Sequence, residues 1–357
     1  MTLNKDYAFE RIYQSLNLSA TIKTFAEDFV VEEFIPIEFS EEGEHCWIYV
    51  EKRDCNTDWV AQQLASYCDV KKMAVSYAGL KDRRAVTSQW FSVQMPGLPT
   101  PEWEKFQTQF NSQDSDEKIR VLKSVRHNRK LQRGALKGNK FTITLRDLSD
   151  TSEAMFESLL QRCEAISQHG VANYFGSQRF GRERNNLDAA INMFSNSRYK
   201  LSKHKRSLYL SAARSWMFNF IVSERIKMQC WDKRLSGDVF MLDGKSACFK
   251  DDASSEVISR LDSKEIHPTA PLWGDGDMMV EEEAKALEMR IVDQFPVYRD
   301  GLVSARVQGQ RRACRVIPKN MEGSREGDNF ILTFSLPAGS YATEVLAEII
   351  SSLTVSR

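Results

Sequence analysis

Phe141-Thr142-Ile143-Thr144-Leu145-Arg146 alternates apolar and polar side chains with a period of two, the pattern of a strand with one buried face. Far downstream, Phe330, Leu332, Phe334 and Leu336 repeat that period until Pro337 and Gly339 break it. Between these strands the chain changes character. From Val171 it runs through aromatic and basic loops, a long helical stretch at Leu208 to Met228, a Gly/Asp-rich stretch at Trp273 to Asp277 and a charged helix near Val280 to Phe295. Strands at both ends of a helical, loop-rich middle predict an α+β domain interrupted by an insertion.

Working outward from the first strand, Cys46 to Glu51 and Ala85 to Met95 read as further strands. Asn56 or Thr57 can cap a helix whose apolar positions Val60, Leu64 and Tyr67 to Cys68 recur at helical spacing. Thr151 to His169 is helical, with Phe156, Leu159, Leu160, Cys163 and Ile166 on one face and Gly170 as its C-terminal cap. Tyr341 to Leu353 reads as a last helix. The expected division is a discontinuous domain of residues 1–169 and 317–357 enclosing an insertion of residues 170–316.

The chain has 357 residues, 42% of them hydrophobic, with 49 Lys plus Arg balanced by 49 Asp plus Glu. No apolar run reaches the roughly 18 residues of a membrane span, and Met1 to Glu10 lacks the pattern of a signal peptide. Seven cysteines form no CxxC, and the five histidines form no HExxH, so neither a disulfide framework nor a metal site is expected. Reduced thiols point to a cytoplasmic protein. Glu44-His45-Cys46 offers three adjacent donors that cannot converge on one ion. Gly176 to Gly181 has the glycine spacing of a P-loop, but Arg182-Glu183 stands where Lys-Ser/Thr is required. GxSxG and GxGxxG are both absent.

The zero net charge hides segregation. Glu27 to Glu44 holds eight acids and no base, whereas Lys118 to Lys140 holds nine bases and no acid. Arg198 to Arg206 has five bases, and Arg306, Arg311, Arg312 and Arg315 form a third cluster. Any one of these can be a solvated face; three together predict a polyanionic partner.

Within Tyr77-Ala-Gly-Leu-Lys-Asp-Arg-Arg-Ala-Val-Thr-Ser-Gln-Trp-Phe91, Asp82 is the only acid between Val70 and Pro101, flanked by Lys81, Arg83 and Arg84. Positive charge on both sides favours an ionised carboxylate, suited to act as nucleophile or general base on a nucleoside whose phosphates the cations hold. The same residues also fit a surface turn in which the aspartate pairs with an arginine. Asn139 offers donor and acceptor to a uracil edge, or is a turn residue beside Gly138. Phe141 can stack on an unstacked base, although its parity with Ile143 and Leu145 marks a core face.

In order along the chain, Glu27-Asp-Phe-Val-Val-Glu32, Gly43-Glu-His45, Asn56-Thr57, Ala78-Gly-Leu-Lys-Asp-Arg-Arg-Ala-Val-Thr87, Arg126-His-Asn-Arg-Lys-Leu131, Gly134-Ala-Leu-Lys-Gly-Asn139, Asn173-Tyr-Phe-Gly-Ser-Gln-Arg-Phe-Gly181 and Leu336-Pro-Ala-Gly-Ser-Tyr-Ala-Thr343 resemble the TruD family of tRNA pseudouridine synthases. The resemblance covers most of the chain apart from Gly237 to Val297. It implies a pseudouridine synthase α+β domain with a mixed or antiparallel sheet, interrupted by a family-specific α+β insertion. It further implies that Asp82 is the catalytic aspartate, that Phe29, Asn139 and Tyr341 contact the target nucleotide, and that the target is uridine 13 of tRNA. At Tyr341 the family more familiarly shows phenylalanine; the ring is kept and a hydroxyl added. Lys23 and Lys81 are expected to contact phosphate or orient Asp82. No cofactor or metal is implied, and a monomer is expected. The competing expectations are a catalytically silent RNA-binding protein on the same scaffold and a glycosylase that releases uracil.

Overall fold

The computed structural model describes residues 7–111, 116–132, 134–196 and 200–356. Arg133 and Arg198, counted in the basic clusters, lie outside the described residues. The chain begins with β1 (Ser19–Ile22), β2 (Phe29–Phe34), β3 (His45–Arg53), α1 (Thr57–Tyr67), β4 (Val75–Tyr77), β5 (Val86–Gln94), α2 (Trp103–Phe110), β6 (Lys118–His127), β7 (Gly138–Leu145) and α3 (Glu153–His169). It continues through β8 (Val171–Ala172), α4 (Asn185–Ser195), α5 (Lys203–Lys227), β9 (Val239–Leu242), β10 (Cys248–Lys250), α6 (Ser255–Asp262), β11 (Ile266–Leu272), α7 (Glu282–Val292), α8 (Pro296–Ser304), β12 (Gln310–Ala313) and β13 (Arg315–Val316). It ends with β14 (Lys319–Glu326), β15 (Asn329–Pro337), α9 (Ala342–Leu346) and β16 (Ser352–Val355).

Two compact units result. The sheet unit comprises Ser15–Gln168, Pro318–Gly339 and Ile349–Arg357; the inserted unit comprises the chain up to Gln14, His169–Ile317 and Ser340–Glu348. The first and third of those inserted-unit segments differ from the division expected from sequence. Side-chain chemistry groups them: Arg11 pairs with Glu344, Glu348 accepts from the backbone N–H of Ile12 and Tyr13, and the Tyr13 hydroxyl donates to Gly170 O.

The sheet unit is built on eight strands in the order β14-β15-β7-β2-β5-β3-β6, with β4 also pairing β5. The β2–β5 pair is parallel and the other pairs are antiparallel, so the sheet is mixed. Its alternating strands meet in register: Phe141, Ile143 and Leu145 of β7 lie opposite Phe334, Leu332 and Phe330 of β15, all buried. At the start of β7 a Cβ on Gly138 would stand 2.4 Å from Leu336 O, so only glycine lets these strands close. On the other side of β7, β2 sets Phe29 opposite Ile143 and Glu33 opposite Asn139. Asn139 is therefore a strand residue, not part of a turn.

β6 falls within the basic run and carries no clean period of two, for a physical reason. A bulge at the β3 pairing between Tyr49 and Val50 shifts its register. Val121 consequently packs with Val50 in the core beneath α1 and α2, while Val125, of the same sequence parity, packs with Trp47 and Trp90 in a different cluster. The last helix is shorter than Tyr341 to Leu353. After α9 the chain turns at Ser351, whose N–H reaches Leu18 O, and enters β16, which pairs in parallel with β1.

The inserted unit centres on α5, whose Trp216, Met217, Phe218, Ile221 and Val222 are fully buried, and on the antiparallel sheet β10-β9-β11-β12. Here the third basic cluster has a different role from the one expected. Arg311 makes a two-pronged contact with Glu288 at 2.6 and 3.1 Å, Arg312 lies 4.2 Å from the Phe175 ring centroid, and Arg315 donates to His267 Nδ1 at 3.0 Å. These three arginines brace the interior, and of the cluster only Arg306 is exposed. No helix among the described residues is long and apolar enough to cross a membrane.

Candidate active site

The segment from Gly79 to Asp82 has no regular structure of its own, so its backbone groups need outside partners. Three buried side chains supply them. Gln89 Nε2 donates to Gly79 O at 3.0 Å, Thr57 Oγ1 accepts from Lys81 N–H at 3.0 Å, and Lys52 Nζ donates to Asp82 O at 2.8 Å. The set is cross-linked, since the Thr57 hydroxyl donates to Gln89 Oε1 at 2.9 Å and Lys52 Nζ also donates to Cys55 O at 2.7 Å. Lys52 and Gln89 are 0% exposed and Thr57 2%. Burial lowers the Lys52 ammonium to about 8. The Asp82 side chain, in contrast, is 42% exposed.

Lys23 completes the carboxylate's surroundings. Its Nζ lies 2.6 Å from Asp82 Oδ2 and 4.1 Å from the centroid of the Phe29 ring. Lys23 sits just beyond β1 with φ +60°, a left-handed backbone that an ordinary side chain adopts only where its surroundings hold it there. The Phe29 ring meets Phe141 edge-on, with centroids 6.3 Å apart, and Phe141 in turn stacks on Phe334 at 5.5 Å. Asp82, Lys23, Phe29 and Phe141 are thus brought together, with one face of Phe141 taken by the core.

Lys81 turns inward, away from any phosphate. Its Nζ pairs with Glu33 Oε2 at 2.8 Å, both side chains being almost fully buried. Burial pushes the Glu33 carboxyl up against the pull of Lys81. Asn139, opposite Glu33, buries an Oδ1 that has no hydrogen-bond partner among the described residues. Of the two flanking arginines, Arg83 pairs with Glu117 at 3.1 Å and Arg84 donates to Ser356 O at 3.0 Å.

Tyr341 belongs to the inserted unit, where the Asn173 to Gly181 segment holds it. Its hydroxyl accepts from Arg179 Nε at 2.9 Å, and Arg179 Nη1 donates to Ser211 Oγ at 3.1 Å. A Cβ on Gly176 would come within 2.9 Å of the Tyr341 ring, so the glycine admits the aromatic. The neighbouring Arg312 is lowered to about 10 by burial. The extra hydroxyl at position 341 is therefore occupied in fixing an arginine.

Sequence reasoning singled out Asp82 and Lys23 but did not identify Lys52, Thr57 and Gln89 as the holders of the loop. A signal for Lys52 exists: it shares the parity of Cys46, Ile48 and Val50, the buried face of β3, where a lysine is out of place.

The family model described as tRNA pseudouridine synthase D (TruD) matches residues 10–192 and 185–349. A tRNA pseudouridine synthase D of Methylococcus capsulatus is 42% identical over 342 residues, covering 95% of this chain and 93% of that one. A protein of the same name from Hydrogenovibrio crunogenus is 39% identical, covering 93% and 92%. A solved chain from Methanosarcina mazei, described under that name, superposes with a TM-score of 0.73 at 23% identity over 96% of both chains, a likeness of fold. With matches of this extent, the chain belongs to the TruD family of tRNA pseudouridine synthases and is an isomerase.

Proposed function

We propose that the chain converts uridine 13 of tRNA into pseudouridine, with Asp82 as the essential carboxylate. The observation that carries this reading is the half-exposed Asp82 side chain standing 2.6 Å from Lys23 on a loop held by three buried side chains. In the reaction the N1–C1′ bond breaks, the base turns, and a C5–C1′ bond forms; the proton lost from C5 is balanced by one gained at N1. No atom leaves and the formal changes at C1′ and C5 cancel, so there is no net oxidation or reduction and the chemistry calls for no cofactor. Attack on C1′ and removal of the neighbouring C2′ proton both need an ionised oxygen beside the sugar, and Asp82 supplies it.

A uridine in a folded RNA must first leave its stack, and aromatic contact worth about 1–3 kcal/mol per base offsets that loss. Phe29 is the ring beside the carboxylate; it is 6% exposed beneath the Lys23 ammonium, so a base reaches it only as Lys23 moves aside. The unpartnered Asn139 Oδ1 supports recognition of uracil, whose N3–H donates where cytosine presents an acceptor. The polyanionic backbone finds exposed cations at the start of α5, where Lys203, Lys205 and Arg206 crowd a first turn without an acid. Cations there oppose the helix dipole, so they serve something other than the helix.

The test is incubation of the purified chain with unmodified tRNA, followed by carbodiimide mapping and assay of free uracil. A new pseudouridine at position 13 without uracil is the expected result. Released uracil would mean a glycosylase, and binding without product would mean a silent RNA-binding protein.

A further inference from the structure

We infer that Lys52, acting with Thr57 and Gln89, is a positioning residue for the isomerisation, clamping the main chain at Asp82 so that its carboxylate meets the sugar in one fixed place. The inference rests on the reading of Asp82 as the essential carboxylate.

A lysine is an expensive residue to bury. Lys52 is 0% exposed on a strand face otherwise made of Cys46, Ile48 and Val50, and both hydrogen-bond partners of its ammonium are main-chain carbonyls. Core packing alone is better served at such a site by methionine or leucine, because a buried charge keeps a desolvation cost that carbonyls only partly offset. The two carbonyls explain the choice. One belongs to Cys55, next to Asp54 with its left-handed φ of +54° at the turn after β3; the other belongs to Asp82. A single ammonium therefore ties the Asp82 loop to the end of a central sheet strand.

The other two members grip the same loop at Gly79 and Lys81, and they share a hydrogen bond with each other. Three successive anchors from β3, α1 and β5 fix the main chain, and the Asp82 carboxylate, paired with Lys23, projects from that fixed segment. Reactions whose rate depends on the placement of one carboxylate oxygen lose about a hundredfold for a displacement near 1 Å, without loss of substrate binding. The clamp thus acts on turnover through Asp82 and touches neither base nor sugar itself.

The experiment compares wild type, Lys52→Met, Lys52→Arg, Thr57→Val and Asp82→Asn as full-length chains on unmodified tRNA, with melting curves for each. Lys52→Met is expected to lower kcat about 30- to 300-fold while KM and the tRNA Kd stay within threefold, and Lys52→Arg, which keeps charge and donors, to recover at least tenfold of that loss. A folded Lys52→Met with kcat within threefold of wild type overturns the inference, as does a fall in tRNA affinity that matches the fall in kcat. If Lys52→Met does not fold, Thr57→Val decides: about a tenfold lower kcat at constant KM is expected, and an unchanged kcat overturns the clamp. An active Asp82→Asn would overturn the underlying reading as well, whereas an inactive Asp82→Asn beside an active Lys52→Met would overturn the clamp alone.

Discussion

The Lys23 ammonium touches Asp82 Oδ2 at 2.6 Å while standing 4.1 Å from the centroid of the Phe29 ring, so one side chain links the carboxylate to the aromatic wall beside it. A charge-assisted contact of this kind is worth about 1.5–3 kcal/mol where its partner is held in place. Lys23→Asn removes the ammonium but keeps a residue that tolerates the left-handed backbone at this position. Its kcat should fall by about 10- to 100-fold with melting temperature nearly unchanged. Single-turnover kinetics together with a thermal melt check this.

Lys81 and Glu33 form a buried pair next to Asp82, and breaking it strands one charge. Glu33→Gln should cost about 3–5 kcal/mol in urea denaturation. Replacing both partners with apolar residues, as in Glu33→Leu with Lys81→Met, should restore most of that loss.

Lys52 makes stability depend on pH in a definite direction. The folded ammonium is lowered to about 8 from an ordinary 10.5, so between those values the unfolded chain binds a proton that the folded chain does not. Stability therefore rises with pH across that window, with the full burial cost present below pH 8. Cys55, pushed up to about 11 by burial, works in the opposite sense near the top of the window, and Asp54, Lys81 and Asp82 are the other charged groups nearby. Comparison with Lys52→Met cancels those contributions: the stability of wild type relative to the variant should increase between pH 7.5 and pH 10.

The basic clusters should separate by experiment. Alanine at Lys203, Lys205 and Arg206 should weaken tRNA binding and flatten its salt dependence by up to about 3 logarithmic units per decade of salt, about one for each phosphate no longer neutralised. Arg311→Ala should instead lower the melting temperature and leave the salt slope unchanged, since it strands the buried Glu288. Filter binding across a salt series distinguishes the two.

Much of the sheet was legible in the sequence. The period of two at Phe141 to Leu145 and at Phe330 to Leu336 survives because both strands bury one face against a single core. β6 was not legible, since its bulge puts Val121 and Val125 on different clusters despite equal parity. The last helix was overextended because its apolar residues continue past α9, and only long-range pairing with β1 reveals a strand there.

At the candidate site, the isolated acid among cations drew attention to Asp82, and the family motifs added Phe29, Asn139 and Tyr341. The direction in which each cation points was not legible. Lys81 and the arginines from Arg311 to Arg315 look like surface charge in the sequence, yet Glu33, Glu288, Phe175 and His267, all remote along the chain, draw them inward. Lys52 was legible only as an anomaly of parity, which becomes meaningful once Asp82 O is seen 2.8 Å from its ammonium.

The most direct measurement is carbodiimide mapping of unmodified tRNA after incubation with wild type and with Asp82→Asn, alongside tRNA binding by each. The account predicts a pseudouridine stop at position 13 with wild type, none with Asp82→Asn, and similar binding by both. Substantial pseudouridine formation by Asp82→Asn would contradict it.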